Sequence, residues 1–178
     1  MNSRSLVVIA SACIGLAAPA AAQEAFVGAY VHGVDTPFTL YTGEGGTDIM
    51  AGYRFKPVDL GFLGHPAPYA MASVNTAGDT DFIAGGFGWK FGNGPIYARP
   101  GIGLAVQDGP SERYDTTGRR TDLGSPVLFV PEIAIGANLS PHVALEASWV
   151  HISHARLFNW QQNPGLDMMG ARLVIKLP

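Results

Sequence analysis

Three polar residues near the end of the chain, His151, Ser153 and Asp167, are of the types that together make a nucleophile, a base and an acid that orients the base. In an extended strand, residues at i and i+2 share one face and stand roughly 7 Å apart at the backbone, near enough for their side chains to meet. If a neighbouring strand brings Asp167 to the far imidazole nitrogen, Ser153 can attack. His151 then takes its proton and Asp167 fixes the tautomer. A plainer reading exists: polar residues also collect where an apolar surface ends, and spacing alone leaves both open. A metal site built from His151 and His154 is disfavoured, because i and i+3 point to opposite faces of a strand.

The elements that must position these residues begin after an export signal. Arg4 gives a positive start, Leu6 to Leu16 an apolar run, and Ala20-Ala21-Ala22 a small-residue cleavage site. The run is too short for a spanning helix, which needs roughly 20 apolar residues. Residues 1–22 are therefore expected to be a cleaved signal peptide and 23–178 a single domain. A lipoprotein signal on Cys13 is the rival, disfavoured because Ala10 stands where leucine is usual. Cys13 is the only cysteine, so the mature domain is expected to fold without disulfides. The net charge of −3 and the absence of a basic run give no case for nucleic acid. Hydrophobic residues make up 47% and charged ones 14%, against ~25% charged in ordinary soluble domains. Such an apolar exported chain, with no long apolar helix after the signal, is expected to be a membrane β-barrel, since only helices and closed barrels satisfy their backbone in lipid. A soluble β-sandwich or ligand-binding barrel is the alternative.

Strand-like segments run over Ala25–Val31, Asp48–Phe55, Pro68–Asn75, Asp81–Phe91, Ile96–Gln107, Val127–Leu139, Val143–His154 and Leu166–Leu177. This predicts an all-β, eight-stranded antiparallel outer-membrane barrel. Of the connections expected to face outward, Gly33–Thr47, Asp108–Pro126 and Ala155–Gly165 are long and Thr76–Thr80 is short. The inward connections Gly92-Asn93-Gly94-Pro95 and Ser140-Pro141-His142 are tight, but Lys56–Ala67 is longer than such a turn should be. In the seventh segment Ala144, Glu146, Ser148, Val150 and Ile152 share one face, assigned to the lumen by its charge. Val143, Leu145, Ala147, Trp149, His151 and Ser153 share the other, assigned to lipid. In the eighth, Asp167, Met169, Ala171, Leu173, Ile175 and Leu177 form the lipid face, with Arg172 and Lys176 opposite. His151, Ser153 and Asp167 thus meet on the lipid side, at the outer ends of adjacent strands, where unsatisfied polar groups are costly.

The string His151-Ile152-Ser153-His154-Ala155, followed by Asn163-Pro164-Gly165-Leu166-Asp167, resembles the C-terminal signature of the PagL-type lipid A 3-O-deacylases, the acyloxyacyl hydrolase-like proteins. Their usual form is H-x-S-N-A, a short loop, then N-x-G-[IL]-[ED]. The resemblance implies that His151 is the base, Ser153 the nucleophile, and Asp167 the acid in place of the family's usual Glu. Asn163 matches an asparagine of the oxyanion hole. His154 stands where the family has Asn, which puts its own part in that hole in question. Trp149 is a candidate for the acyl groove or for the aromatic belt. Arg156 and Phe158, with Trp160, are candidates to touch phosphate and lipid from the last outer loop.

Together these readings predict an outer-membrane serine esterase, free of cofactor and metal, that removes the 3-O-linked hydroxyacyl chain of lipid A. Its expected partners are lipid A or lipopolysaccharide as substrate and the surrounding outer-membrane lipids; a homodimer is left open. The other readings are a non-catalytic eight-stranded barrel with a structural or adhesive role, and an esterase or acyltransferase acting on another envelope glycolipid.

Overall fold

The alternation of apolar and polar residues along each segment folds as the period of two demands. The computed structural model describes residues 22–39, 42–92, 94–110, 122–157 and 163–177. Eight strands follow one another: β1 (Ala22–His32), β2 (Thr47–Phe55), β3 (Ala67–Asn75), β4 (Phe82–Gly88), β5 (Ile96–Gln107), β6 (Val127–Asn138), β7 (Val143–Ile152) and β8 (Leu166–Lys176). Each pairs antiparallel with the next, and β1 pairs with β8 to close the barrel. No helix among the described residues is long and apolar enough to cross a membrane; the crossing is made by strands that each pair with a neighbour on both sides around the closed barrel.

The strands differ from the sequence expectation mainly at their ends. β1 starts three residues earlier than Ala25, and the fourth strand stops at Gly88 rather than Phe91, although Phe91 still bridges Ala98. β7 ends at Ile152, with Ser153 continuing as a single bridge to Phe129 of β6. The signal-peptide reading falls on residues 1–21, outside the described ones, and on Ala22.

Every second residue forms the outer wall. Val27, Ile49, Ile83, Ile102, Leu104, Ile133, Ile135, Leu145, Leu173 and Ile175 are all exposed, a continuous apolar belt that water would not tolerate and lipid does. The lumen is filled. Near the end that holds the chain termini, Glu146 accepts from Arg172 Nε at 2.6 Å, Arg54 Nη2 at 2.8 Å, Tyr97 Oη at 2.8 Å and Arg99 Nε at 3.2 Å. Arg54 and Arg99 also donate to Glu24, and Arg172 to Glu132. The guanidinium groups of Arg54 and Arg172 lie over the Phe26 ring, 4.5 and 4.8 Å from its centre. Gly136 makes room for this cluster, because a Cβ there would stand 2.2 Å from the Tyr97 ring. Above it pack Met50, Leu128, Val130, Val150, Ile152, Leu166 and Met168.

Removing one partner of a buried charge set leaves the others uncompensated, at a cost of about 3–5 kcal/mol. Glu146→Ala is therefore expected to lower the urea midpoint of the refolded barrel, read by the heat-dependent shift in gel mobility. Ala147→Ser, on the lipid wall beside it, is expected to leave that midpoint nearly unchanged.

Candidate active site

The pairing of β7 with β8 places His151 directly opposite Asp167. Their side chains meet: His151 Nδ1–H donates to Asp167 Oδ1 at 2.7 Å. This fixes the tautomer and leaves Nε2 as the ring's acceptor. Asp167 is on the lipid-facing parity, yet it is fully buried. A carboxylate withdrawn from water needs charge-assisted hydrogen bonds to remain ionised, and Asp167 has them. Trp149 Nε1–H donates to Oδ1 at 2.8 Å, and the Thr36 hydroxyl makes a short bond to Oδ2. The Asp167 carbonyl accepts from Val34 N–H at 2.9 Å.

Thr36 and Val34 belong to the connection between β1 and β2, which folds over the rim onto the outside of β7 and β8. Phe38 of the same connection lies 5.5 Å, ring to ring, from Trp149. The inner end of the connection is latched in the lumen: His32 donates from Nδ1 to Asp48 and from Nε2 to Glu44, each at 2.9 Å. Thr80 donates to Glu44 through its hydroxyl and its backbone N–H. Burial alone would push the Glu44 carboxyl up, but the hydrogen bonds from His32 and Thr80 and the charge of His32 hold it below the usual carboxylate range.

Ser153 stands two residues beyond His151 on the same face. Its backbone is seated by Ser153 N–H to Phe129 O at 3.1 Å and Phe129 N–H to Ser153 O at 2.7 Å. Among the described residues its hydroxyl makes no hydrogen bond to His151; such contacts are commonly loose without substrate and tighten when it binds. Gly165 lies against the His151 ring: its φ is +68°, and a Cβ there would stand 2.9 Å from His151 Cε1. The glycine just before β8 thus supplies both the left-handed backbone and the space the imidazole occupies.

The two oxyanion candidates bind one another. His154 N–H donates to Asn163 Oδ1 at 3.0 Å, which occupies the His154 N–H and leaves the NH2 group as the donor end of the Asn163 amide. The His154 ring is fully buried, away from the exposed wall. Arg156 is exposed in a tight turn closed by Leu157 N–H to His154 O at 2.9 Å. In that turn Ala155 and Arg156 have φ of 52° and 60°, an uncommon conformation for side chains with a Cβ. Phe158 and Trp160 lie outside the described residues. Trp149 carries out a task neither of its sequence readings contained, donation to Asp167. Thr36 and Phe38 gave no sequence signal; the outer-loop length of 33–47 was the only hint that this segment had work to do at the rim.

A closed barrel with a histidine–carboxylate pair on its outer wall falls in the class of outer-membrane enzymes that work on the bilayer rather than on a luminal solute. The family model described as lipid A 3-O-deacylase (PagL) matches residues 64–176, and the chain belongs to that family of outer-membrane carboxylic ester hydrolases that deacylate lipid A. Among solved structures, the outer-membrane enzyme PagL is similar over 85% of this chain and 99% of its own, with 21% identity and a TM-score of 0.58. Neisserial surface protein A (NspA) is similar over 86% and 96%, with 14% identity and a TM-score of 0.50. No curated relative matches.

Two outcomes follow from the support around Asp167. A hydrogen bond to a charged group is worth about 1.5–3 kcal/mol, so Thr36→Val and Trp149→Phe are each expected to lower kcat about tenfold with KM close to wild type. Steady-state deacylation in detergent micelles reads both. The Glu44 carboxyl is held low, so its contribution to the latch is complete above the usual carboxylate range and is lost as pH falls through its lowered value. The protection of residues 33–39 against hydrogen exchange, taken relative to the intrinsic rate at each pH, is expected to fall on acidification in wild type. In Glu44→Gln that protection is expected to be lower at neutral pH and less dependent on pH.

Proposed function

We propose that this protein removes the 3-O-linked hydroxyacyl chain of lipid A by serine catalysis, from a site that opens sideways into the outer leaflet. The observation that carries this reading is the His151–Asp167 hydrogen bond of 2.7 Å on the lipid-facing wall, with Ser153 next along the same face. An acyl ester of a lipid headgroup reaches that wall directly from the bilayer; a luminal site would be closed to it.

In the first half-reaction the Ser153 Oγ–H gives its proton to His151 Nε2 while Oγ bonds to the ester carbonyl carbon. Asp167, held by Thr36 and Trp149, accepts from Nδ1–H and stabilises the imidazolium. The negative carbonyl oxygen needs preorganised donors, and the NH2 of Asn163 is the side-chain candidate. When the tetrahedral centre collapses, the bond to the sugar 3-oxygen breaks and His151 returns the proton to that oxygen. The acyl chain is left on Ser153. Water then attacks with His151 as base again, releasing a 3-hydroxy fatty acid and free Ser153. Asp167 has one methylene less than the family's usual glutamate. The directly opposed register of β7 and β8 and the 2.7 Å bond support its use at the shorter reach. Arg156, exposed at the rim, is suited to a lipid A phosphate. Export through a cleaved signal over residues 1–22 belongs to the same reading.

Mass spectrometry of lipid A from cells expressing wild type, Ser153→Ala or His151→Ala tests it. Wild type is expected to yield lipid A lacking one 3-hydroxyacyl chain, and both variants unmodified lipid A. Unchanged lipid A in all three, with folded barrels confirmed by heat-shifted mobility, would sink the proposal. Loss of a chain from another position would correct its regiochemistry.

A further inference from the structure

The connection between β2 and β3, at the rim opposite His151, is longer than a turn needs to be, and the structure shows what the extra length builds. Residues 56–66 form a short finger rather than a loose loop. Val58 N–H donates to Pro66 O at 3.0 Å and Leu60 N–H to Gly64 O at 2.9 Å, which prolongs the β2–β3 hairpin past the barrel. A 3-10 turn over Gly61–Leu63 closes the tip, and Asp59 Oδ1 accepts from Gly61 N–H at 2.8 Å. That tip holds Phe62 at 97% exposure, with Leu60 and Leu63 also exposed.

An ordered segment that presents a phenylalanine to the outside forgoes about 1.5–3 kcal/mol of burial if water surrounds it. Its direction argues for another medium. Trp89 follows β4 on the same parity as Ile83 and Phe87, the exposed residues of that strand's outer wall. Its indole N–H donates to Leu63 O at 2.8 Å. The tip of the finger is thus tied to the lipid-facing side of β4, while Pro57 and His65 at its base line the luminal mouth beside Arg54 and Arg99. The apolar surface continues from the barrel belt through Trp89 to Phe62, and Phe91 and Ile96 are exposed nearby. Lys56, also exposed, stands at the finger's base, where a phosphate would lie if the tip entered acyl chains.

We infer that residues 56–66 are a membrane anchor: Phe62 and Leu63 insert among the phospholipids of the periplasmic leaflet, with Trp89 and Lys56 at headgroup level. This fixes the depth of the barrel from below, independently of the chemistry at the other rim.

The test places a reporter at the tip. In a Cys13→Ser background, Phe62→Cys is labelled with nitrobenzoxadiazole, and the full-length chain is reconstituted into vesicles of phosphatidylethanolamine and phosphatidylglycerol. Ile135→Cys, on the apolar belt, serves as the bilayer reference, and heat-shifted mobility confirms folding of each. The expected result is a blue-shifted emission at position 62 that nitroxide-bearing phospholipids quench about as strongly as at position 135, with little quenching by aqueous iodide. Quenching by iodide and not by nitroxide lipid would overturn the inference. Shielding from both in native outer-membrane fragments, with iodide access in vesicles, would also overturn it and assign the tip to a protein partner. Leu63→Cys gives the same readings if the Phe62 variant does not fold.

Discussion

The register between β7 and β8 is the constraint on which the site depends. An antiparallel ladder has a side-chain period of two, so a slip of one residue would turn every side chain to the other face. His151 would then lose Asp167, and Glu146 would leave the lumen. The correct register is the one in which two opposed pairs are satisfied at once. His151 faces Asp167 on the outer wall, and Glu146 faces Arg172 within. The inner pair lies in the densest part of the charge cluster, with 2.6 Å between Arg172 Nε and Glu146. A charge pair remote from the candidate site therefore aligns, five residues along the same strand, the two groups of that site.

Alternation also separates two environments that would otherwise conflict. The inward residues form a low-dielectric interior in which ions survive by pairing, and the outward ones form a wall for lipid. Asp167 is the exception: an acid on the outward set. It is protected by the β1–β2 connection, which comes over the rim with Thr36 and Phe38. That connection is held at its inner end by His32, Glu44 and Asp48. Luminal and lipid-side networks thus both draw on the single connection between β1 and β2.

Much of this was legible in the residues. Glycine placement, turn chemistry and a period of two were enough for eight strands with nearly correct bounds, because each signal is local. Face assignment followed from one charge, Glu146, since an acid in the lipid wall would have been too costly. The adjacency of His151 and Asp167 was legible because consecutive strands of a meander must pair. Thr36 and Phe38 could not be found that way. They reach the site through a fourteen-residue connection, 33–46, and no periodic pattern says where an irregular segment will fold. The task of Trp149 was hidden for another reason: an interfacial tryptophan has an obvious explanation, and its indole N–H partner depends on a diagonal contact that spacing does not reveal. The long 56–66 connection looked like a fault in the strand scheme because turn length was weighed without asking which side of the wall the extra residues would lean on.

A candidate site on the outside of a wall, with Asp167 sealed behind His151, has no mouth through which substrate arrives from solution. Encounter is a search in a plane. Dilution of the suspension leaves the rate untouched, while the mole fraction of cleavable lipid among its neighbours governs it. Packing of those neighbours, tightened by divalent cations or relaxed by disorder, then acts as the throttle. Such an enzyme responds to the state of the surface it is embedded in, without needing a regulatory site to sense it.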